Sequence, residues 1–433
     1  MKGWVYLRKE KRIKENEEIK KPKKHFFKAF LKLILIIILL SAILFAISFY
    51  NWKNLATSMI SLTPSTVLDN NGETIASIGN EKIYQNVKFE DIPDNLKNAY
   101  IAIEDQRYYK HFGIDIKRTV AAIGSYVIHL GHSSFGGSSI TQQLVKNLTG
   151  NSSNSVSRKM EEWLKAVQLE MFLSKEEILE TYFNIIYTGP NIYGVQKASE
   201  YYFGKNVQDL SLAECAYIAG INISPNSFNP FGEKDNSEKI SKRIKVVLNK
   251  MKELEYITEE DFLTAIAETE NGIAFNQTKL KAEGSNNYSY QIDAMLDEII
   301  EDLSNNKRIS TSFAENYLSL GGLTIQSTQN TSIQEATEKE FTKKTYSVPS
   351  KNEKDTTSQS AMVIIDHSNG QVLSCVGGLG EKTARGLNRA ISSTRQTGSA
   401  GKPISVLIPG FCENIITSAS VFVDIETTFD DGT

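Results

Sequence analysis

The sequence predicts a multidomain chain with one N-terminal transmembrane helix, a mainly α domain, a mixed α+β linker and a C-terminal segment that opens with β structure. Three observations predict this. A basic head precedes an uncharged apolar run, residues 66–250 show repeated helical periodicity, and the composition changes near residue 355, where apolar and turn residues begin to alternate.

The 433 residues allow two or three domains. At 40% hydrophobic and 23% charged the chain is globular in composition, which excludes a disordered polypeptide. Cys215, Cys375 and Cys412 follow no CxxC or zinc spacing, so neither a disulfide framework nor a metal cluster is expected. The formal charge of −3 is unevenly spread: residues 1–32 hold 12 Lys/Arg and 4 Asp/Glu, a net of +8, leaving −11 for the remainder. A basic head on an acidic body points to membrane topology and not to nucleic acid.

The run "LILIIILLSAILFAISFY" (33–50) has 18 residues and no charge. As a helix it rises roughly 27 Å, close to the thickness of a hydrocarbon core. Lys28 and Lys32 can snorkel at one end, while Tyr50 and Trp52 suit the opposite interface. A cleaved signal peptide is the alternative, but the charged head is too long and the apolar run exceeds a signal peptide's 7–15 residues. The positive-inside rule then puts residues 1–32 in the cytoplasm and everything after about residue 52 outside.

Helices are predicted at 156–172, where Met160, Trp163, Leu164, Val167 and Met171 form an apolar stripe with Arg158 and Glu162 on another face, and at 175–187. Further helices are expected at 211–221, opened by a Ser cap with Glu three residues on, and at 237–254. "SPNSFNPF" between the last two is loop. Residues 251–355 are mixed, with a helix leading into a strand within 306–330 and a polar linker at 346–359. "SAMVIIDHSNGQVLSCVGG" predicts a β-hairpin turning at Asn369-Gly370.

Three stretches carry chemistry. "AIEDQRYYKHFG" (102–113) sets Glu104 and Asp105 among Arg107, Tyr108, Tyr109, Lys110 and His111. "GGSSITQQLVKN" (136–147) offers Gly136-Gly137 for a mobile backbone, hydrogen-bonding Ser138, Ser139, Thr141, Gln142 and Gln143, and the cation Lys146. It could hold phosphate or sugar hydroxyls, or be only a glycine hinge entering an amphipathic helix. "RKMEEW" (158–163) joins Arg158 and Lys159 to Glu162; alone, this is an ordinary solvated face with an i,i+4 pair.

With "KEEILETYFNIIYTGPNIYGVQKASEYYFGK" and "KRIKVVL" following in order, these stretches resemble the five motifs of the peptidoglycan glycosyltransferase family found in class A penicillin-binding proteins, over about residues 66–250. The resemblance implies a lysozyme-like helical fold and polymerisation of lipid II into β-1,4 glycan strands, with inversion and release of undecaprenyl pyrophosphate. It implies Glu104 as the base that takes the acceptor hydroxyl's proton, with a pKa raised by burial or by Asp105, which is placed with the substrate-binding residues. It implies Glu162 as a second catalytic carboxylate that orients or assists the leaving group. Lys146, Arg158, Lys159 and Arg243 would meet the pyrophosphate, and Ser138, Thr141, Gln142 and Gln143 would line the donor site. Tyr108, Tyr109 and His111 are expected to shape the cleft or pack, not to transfer protons. Two departures stand out: Ile244 where a second basic residue is common, and Pro190-Asn191 where small residues are usual. No cofactor is required; a divalent cation, Mg2+ or Mn2+, could sit at the pyrophosphate beside Glu162, although no dedicated metal ligands are visible. The partners implied are lipid II, the growing glycan strand, the membrane and other cell-wall synthesis and division proteins, at the outer face of a bacterial cell membrane.

"RQTGSAGKP" (395–403) resembles the Ser-x-x-Lys element of penicillin-binding transpeptidases, with Ser399 as nucleophile and Lys402 as its activating amine. Residues 356–433 then read as the start of an α/β serine transpeptidase domain that is incomplete, since the chain ends 31 residues after Lys402, ahead of the family's Ser-x-Asn and Lys-Thr-Gly elements. Thr397 and Gly401 also replace a usual proline and aromatic residue, which loosens the helix carrying the motif. No transpeptidase activity is expected. Three rival readings follow. A lysozyme-like lytic enzyme would need one acid and no pyrophosphate-binding cations. A non-catalytic membrane scaffold would not need both Glu104 and Glu162. A chain destabilised by its partial C-terminal domain would be cut rapidly after about residue 350.

Overall fold

The computed structural model describes residues 2–79, 85–128, 137–278 except 152, 154, 190, 191 and 233, 287–349 except 347, residue 351, and 357–425 except 424. Gly136 and Pro190-Asn191 lie outside the described residues, as does much of the 346–359 linker. In chain order the elements are α1 (Lys2–Ile60), β1 (Ser65–Leu68), β2 (Thr74–Ile78), α2 (Asp94–Glu104), α3 (Ile116–Ile128), α4 (Ile140–Thr149), α5 (Val156–Leu169), α6 (Lys175–Ile185), β3 (Tyr187–Gly189), β4 (Ile192–Tyr193) and α7 (Val195–Phe203). There follow α8 (Leu212–Ile221), α9 (Ser237–Glu253), α10 (Glu259–Asn271), α11 (Tyr290–Lys307), α12 (Thr311–Leu320), β5 (Thr324–Gln326), α13 (Thr331–Phe341), β6 (Met362–Ile365) and β7 (Val372–Val376).

The centre is α8, which is apolar on every face and buried from Ala213 to Ile221. A helix of that composition needs neighbours all round; α2 and α9 supply the largest of its contacts. Its expected start holds: Ser211 and Glu214 form a reciprocal capping box. The same device opens α4 through Ser139 and Gln142 and α6 through Ser174 and Glu177. On α9 the buried positions are Ile240, Ile244, Val247, Leu248 and Met251. Ile244, the departure from the usual basic residue, is therefore a core residue.

Two features differ from the sequence expectation. The apolar stripe is only partly turned inward: on α5 Met160 is 62% exposed and Leu164 38%, Trp163 and Val167 are half-buried, and Met171, just past the helix, is exposed, while Glu162, Ala166, Gln168 and Leu169 are buried. The periodicity is right, but the most buried face also carries Glu162, whose charge meets partners that satisfy it. The apolar helix likewise does not end at Tyr50. Residues 28–60 are long and apolar enough to cross a membrane, but α1 continues to Ile60 and buries Trp52, Leu55, Ala56 and Met59 in the main core. Trp52 is 2% exposed, donates its indole N–H to Lys165 O at 3.1 Å and meets Phe313 edge-on. It is a core residue and not an interfacial anchor.

The segment after the helical domain is more than a spacer. Phe313, Tyr317 and Leu320 of α12 belong to the main core, and Asn316 donates to the carbonyls of Asn147 and Leu148 at the end of α4. The strands form a sheet of order β2-β1-β5, antiparallel between β1 and β2 and parallel between β1 and β5, with Val67 opposite Ile325. Thr66–Leu68 thus pair with Thr324–Gln326, β2 pairs with the other edge of β1, and the sheet packs on α11 and α12 in a second hydrophobic cluster. The hairpin β6–β7 forms as expected, with Gly370 at φ 79° in its turn. The Gln334 side chain accepts from Cys375 N and donates to Cys375 O, docking the hairpin on α13 as another strand would. Beyond Asn388 no described residue is buried, and Val421 is 90% exposed.

Candidate active site

Glu104 ends α2 and Asn222 follows α8, so the packing of those helices brings the two together. The Glu104 carboxylate accepts from Gln143 Nε2 at 2.8 Å and from Asn222 Nδ2 at 3.0 Å. Tyr182 donates its hydroxyl to Gln143 Oε1 at 2.9 Å and accepts from Asn222 Nδ2 at 3.2 Å. Burial and the nearby Glu104 charge hold the Tyr182 hydroxyl well above its usual range, so it stays a proton donor. Among the described residues Glu104 makes no ion pair. Arg243 is half-buried; burial pulls its guanidinium down and the Glu104 charge opposes this, and its Nε donates to Gly220 O at 3.0 Å.

Glu162 is held in the opposite manner. It is 5% exposed and accepts from Gln142 Nε2 at 3.1 Å, from Arg158 Nη1 at 2.5 Å and from Lys159 Nζ. Lys159 also reaches Ser138 Oγ at 2.8 Å. Gln142 and Gln143 are neighbours on α4, so one turn of that helix touches both carboxylates. Lys146, one turn on, is exposed and makes no ion pair among the described residues.

Two residues expected at the substrate are placed elsewhere. Asp105 is fully buried and accepts from His111 Nε2 at 2.9 Å and from Ile140 N, the first amide of α4, at 3.0 Å; it makes no hydrogen bond to Glu104. Its carboxylate suits a helix N-terminus, where free amides and the macrodipole favour negative charge. Thr141 is also fully buried and donates to Glu170 Oε1 at 2.6 Å. Both hold α4 in place. His111 accepts from Gly113 N at 3.1 Å through Nδ1, which makes Nε2 the protonated nitrogen facing Asp105. Tyr108 is buried, as expected of a packing residue, whereas Tyr109 is exposed.

The loop after Glu104 is fixed by charge and by close approach. Arg107 pairs with buried Asp115, and the guanidinium holds the Asp115 carboxyl below the usual carboxylate range. Arg118 donates to the Glu104 carbonyl. Gly113 has φ 92°, and a Cβ there would stand 2.5 Å from Ala166 O on α5. Only glycine allows that approach.

Sequence reasoning missed Asn222 and Tyr182. The available signal was a polar residue terminating an otherwise apolar helix and a hydroxyl within a buried one, neither of which names its partner. Ser399 and Lys402 are exposed, and no hydrogen bond joins them among the described residues. The backbone there is a 3-10 turn followed by a π turn, Gly398–Gly401 and Pro403–Leu407.

A transglycosylase family model matches residues 71–252. Penicillin-binding protein 1A of Clostridium tetani is 35% identical over 83% of this chain and 47% of its own length. The protein of that name from Clostridium perfringens (strain 13 / Type A) is 36% identical over 83% of this chain and 55% of its own. Penicillin-binding protein 1F of Bacillus subtilis is 31% identical over 85% and 48%. The chain thus spans about half the length of the curated relatives it matches. A solved penicillin-binding protein 1A from Haemophilus influenzae aligns with a TM-score of 0.32 and 18% identity over 79% of this chain and 51% of its own, too low to carry a fold assignment.

Proposed function

The chain belongs to the class A penicillin-binding proteins through a transglycosylase domain at residues 71–252, and from that membership we propose that it is a membrane-anchored peptidoglycan glycosyltransferase polymerising lipid II. The observation that carries this reading is the contrast between the carboxylates. Glu104 is oriented by two neutral amides and paired with no cation among the described residues, whereas Glu162 is neutralised by two. We assign the base to Glu104, which faces neutral amides, and to Glu162 the task of positioning Arg158 and Lys159.

In the proposed reaction the acceptor sugar's 4-hydroxyl oxygen bonds to the donor's anomeric carbon as its proton passes to Glu104. The bond from that carbon to the pyrophosphate oxygen breaks, its electron pair leaving with undecaprenyl pyrophosphate. Direct displacement turns an α-linked donor into a β-1,4 product. The developing charge on the leaving group is met by Lys146, Arg158 and Lys159. A divalent cation at Glu162 does not fit, because both of its oxygens are engaged by basic groups and Gln142; no step uses one. The α1 anchor, with its basic head inside, keeps the domain at the outer membrane face, where the lipid tail of the donor resides. Exposed Ser399, with no hydrogen bond to Lys402 among the described residues, lacks the contact that would activate a nucleophile, and we assign it no acyl transfer.

Lipid II polymerisation by the detergent-solubilised chain, beside Glu104→Gln, tests the proposal. The substitution keeps the side chain's shape and removes the base, and a loss of about 10²–10⁴-fold in rate is expected. Equal polymerisation by the variant would overturn the assignment of Glu104. Cleavage of finished glycan strands without lipid II turnover would bring the lytic reading forward instead.

A further inference from the structure

Between α4, α5 and the residues entering α12 lies a cavity of about 90 Å³, several times the 10–15 Å³ that one water requires. Lys146, Arg158, Lys165 and Arg308 line it, together with Glu161 and Glu162, so the charged lining carries a net +2. Lys165 is paired with Glu161 at 2.6 Å and Arg158 with Glu162, but the Arg158 Nε is buried without an acceptor. Lys146 and Arg308 make no ion pair among the described residues.

Arg308 is unusual in two respects. It comes from the segment that follows the transglycosylase match at 71–252, and it holds φ 52° as the residue closing α11, donating its backbone N–H to Ser304 O. That left-handed position is one glycine fills without strain. The fold places a strained cation there, lining a cavity whose other lining includes Lys146 and Arg158 of the second and third motifs.

We propose that Arg308 completes a pocket for a diphosphate diester, the pyrophosphate of the glycosyl donor, so that the residues after the transglycosylase domain supply part of its binding site. This deepens the glycosyltransferase reading and rests on it. A diphosphate diester carries two negative charges, equal and opposite to the net charge of the lining.

Arg308→Gly is the informative variant, because glycine relieves the left-handed strain and keeps the helix end. Its thermal midpoint in detergent should equal or exceed the parent's. Binding of inorganic pyrophosphate to the full chain, followed by calorimetry, should weaken about tenfold or more, as loss of a charge-assisted hydrogen bond implies. The KM for lipid II should rise by a similar factor with little change in kcat, and Arg308→Lys should recover most of both. Unchanged pyrophosphate affinity and unchanged KM in Arg308→Gly would overturn the proposal, as would a parent chain that binds no pyrophosphate. Displacement of pyrophosphate by phosphatidylglycerol micelles at equal phosphate concentration would assign the pocket to bilayer headgroups and overturn the donor assignment. Arg308-dependent pyrophosphate binding without lipid II turnover would sink the glycosyltransferase reading while leaving the anion pocket; turnover with Arg308-independent binding would do the reverse.

Discussion

At the scale of single residues, adjacent carboxylates have unrelated tasks. Glu104 faces the amides of Gln143 and Asn222, while Asp105 turns inward to His111 and the first amide of α4. The sequence supplied the pair but not the direction of either side chain. Asn222 and Tyr182 orient Gln143 and Glu104 without being candidates for proton transfer. Asn222→Ala should therefore lower kcat for lipid II polymerisation by about ten- to a hundredfold, as misplacement of a reacting group does; an unchanged kcat in steady-state assays would refute the role. Asp115 allows a test by pH. Its folded pKa is depressed by Arg107, so its contribution is present above the unfolded value of about 3.9 and is lost as pH falls through the lower folded value. Asp115→Asn should cost about 1–3 kcal/mol at pH 7 and progressively less below about pH 4. Thermal unfolding at both pH values checks this, and an identical gap at each would contradict it.

At the scale of elements, periodicity located the helices and caps fixed their starts, yet it did not choose the buried face of α5. An apolar stripe is the ordinary inner face, but here Met160 and Leu164 are exposed and Trp163 and Val167 only half-buried, while Glu162, satisfied by Arg158, Lys159 and Gln142, is buried. The end of α12 was legible only as helix, and the end of α1 past Tyr50 was not read as helix at all. Their meeting through Trp52 and Phe313, ring centroids 5.9 Å apart, with Lys165 Nζ 4.9 Å from the Phe313 ring, depends on residues more than 250 positions apart. Phe313→Ala should cost about 3–5 kcal/mol, as truncation of a buried aromatic does, and denaturant unfolding in detergent measures it. A loss under about 1 kcal/mol would mean that α12 is dispensable to the helical core.

At the scale of the molecule, burial is concentrated from Trp52 to Val376 and is lacking among the described residues after Asn388. Ile404, Ile415, Val421 and Phe422 are exposed, although their sequence is that of a core. Limited tryptic digestion should cut first at Arg395, since the Lys402–Pro403 bond resists trypsin, leaving a resistant fragment that retains α1 and still polymerises lipid II. First cuts within 94–253, or a uniformly resistant chain, would show that the C-terminal segment is packed.

The sequence by itself determined the long apolar N-terminal helix, the helical domain and the order of the motifs, because hydropathy, caps and motif spacing are local properties of the chain; it offered Glu104 and Glu162 as candidates only through the family resemblance those motifs carry. Tertiary structure alone decided that Asp105 and Thr141 support α4, that Asn222 and Tyr182 complete the Glu104 network, that Thr66–Leu68 pair with Thr324–Gln326, and that Arg308 reaches the cavity beside Glu162. Each of these joins distant segments. A buried polar group is stable only beside a partner that satisfies it, and which partner that is depends on where the packed helices bring their ends.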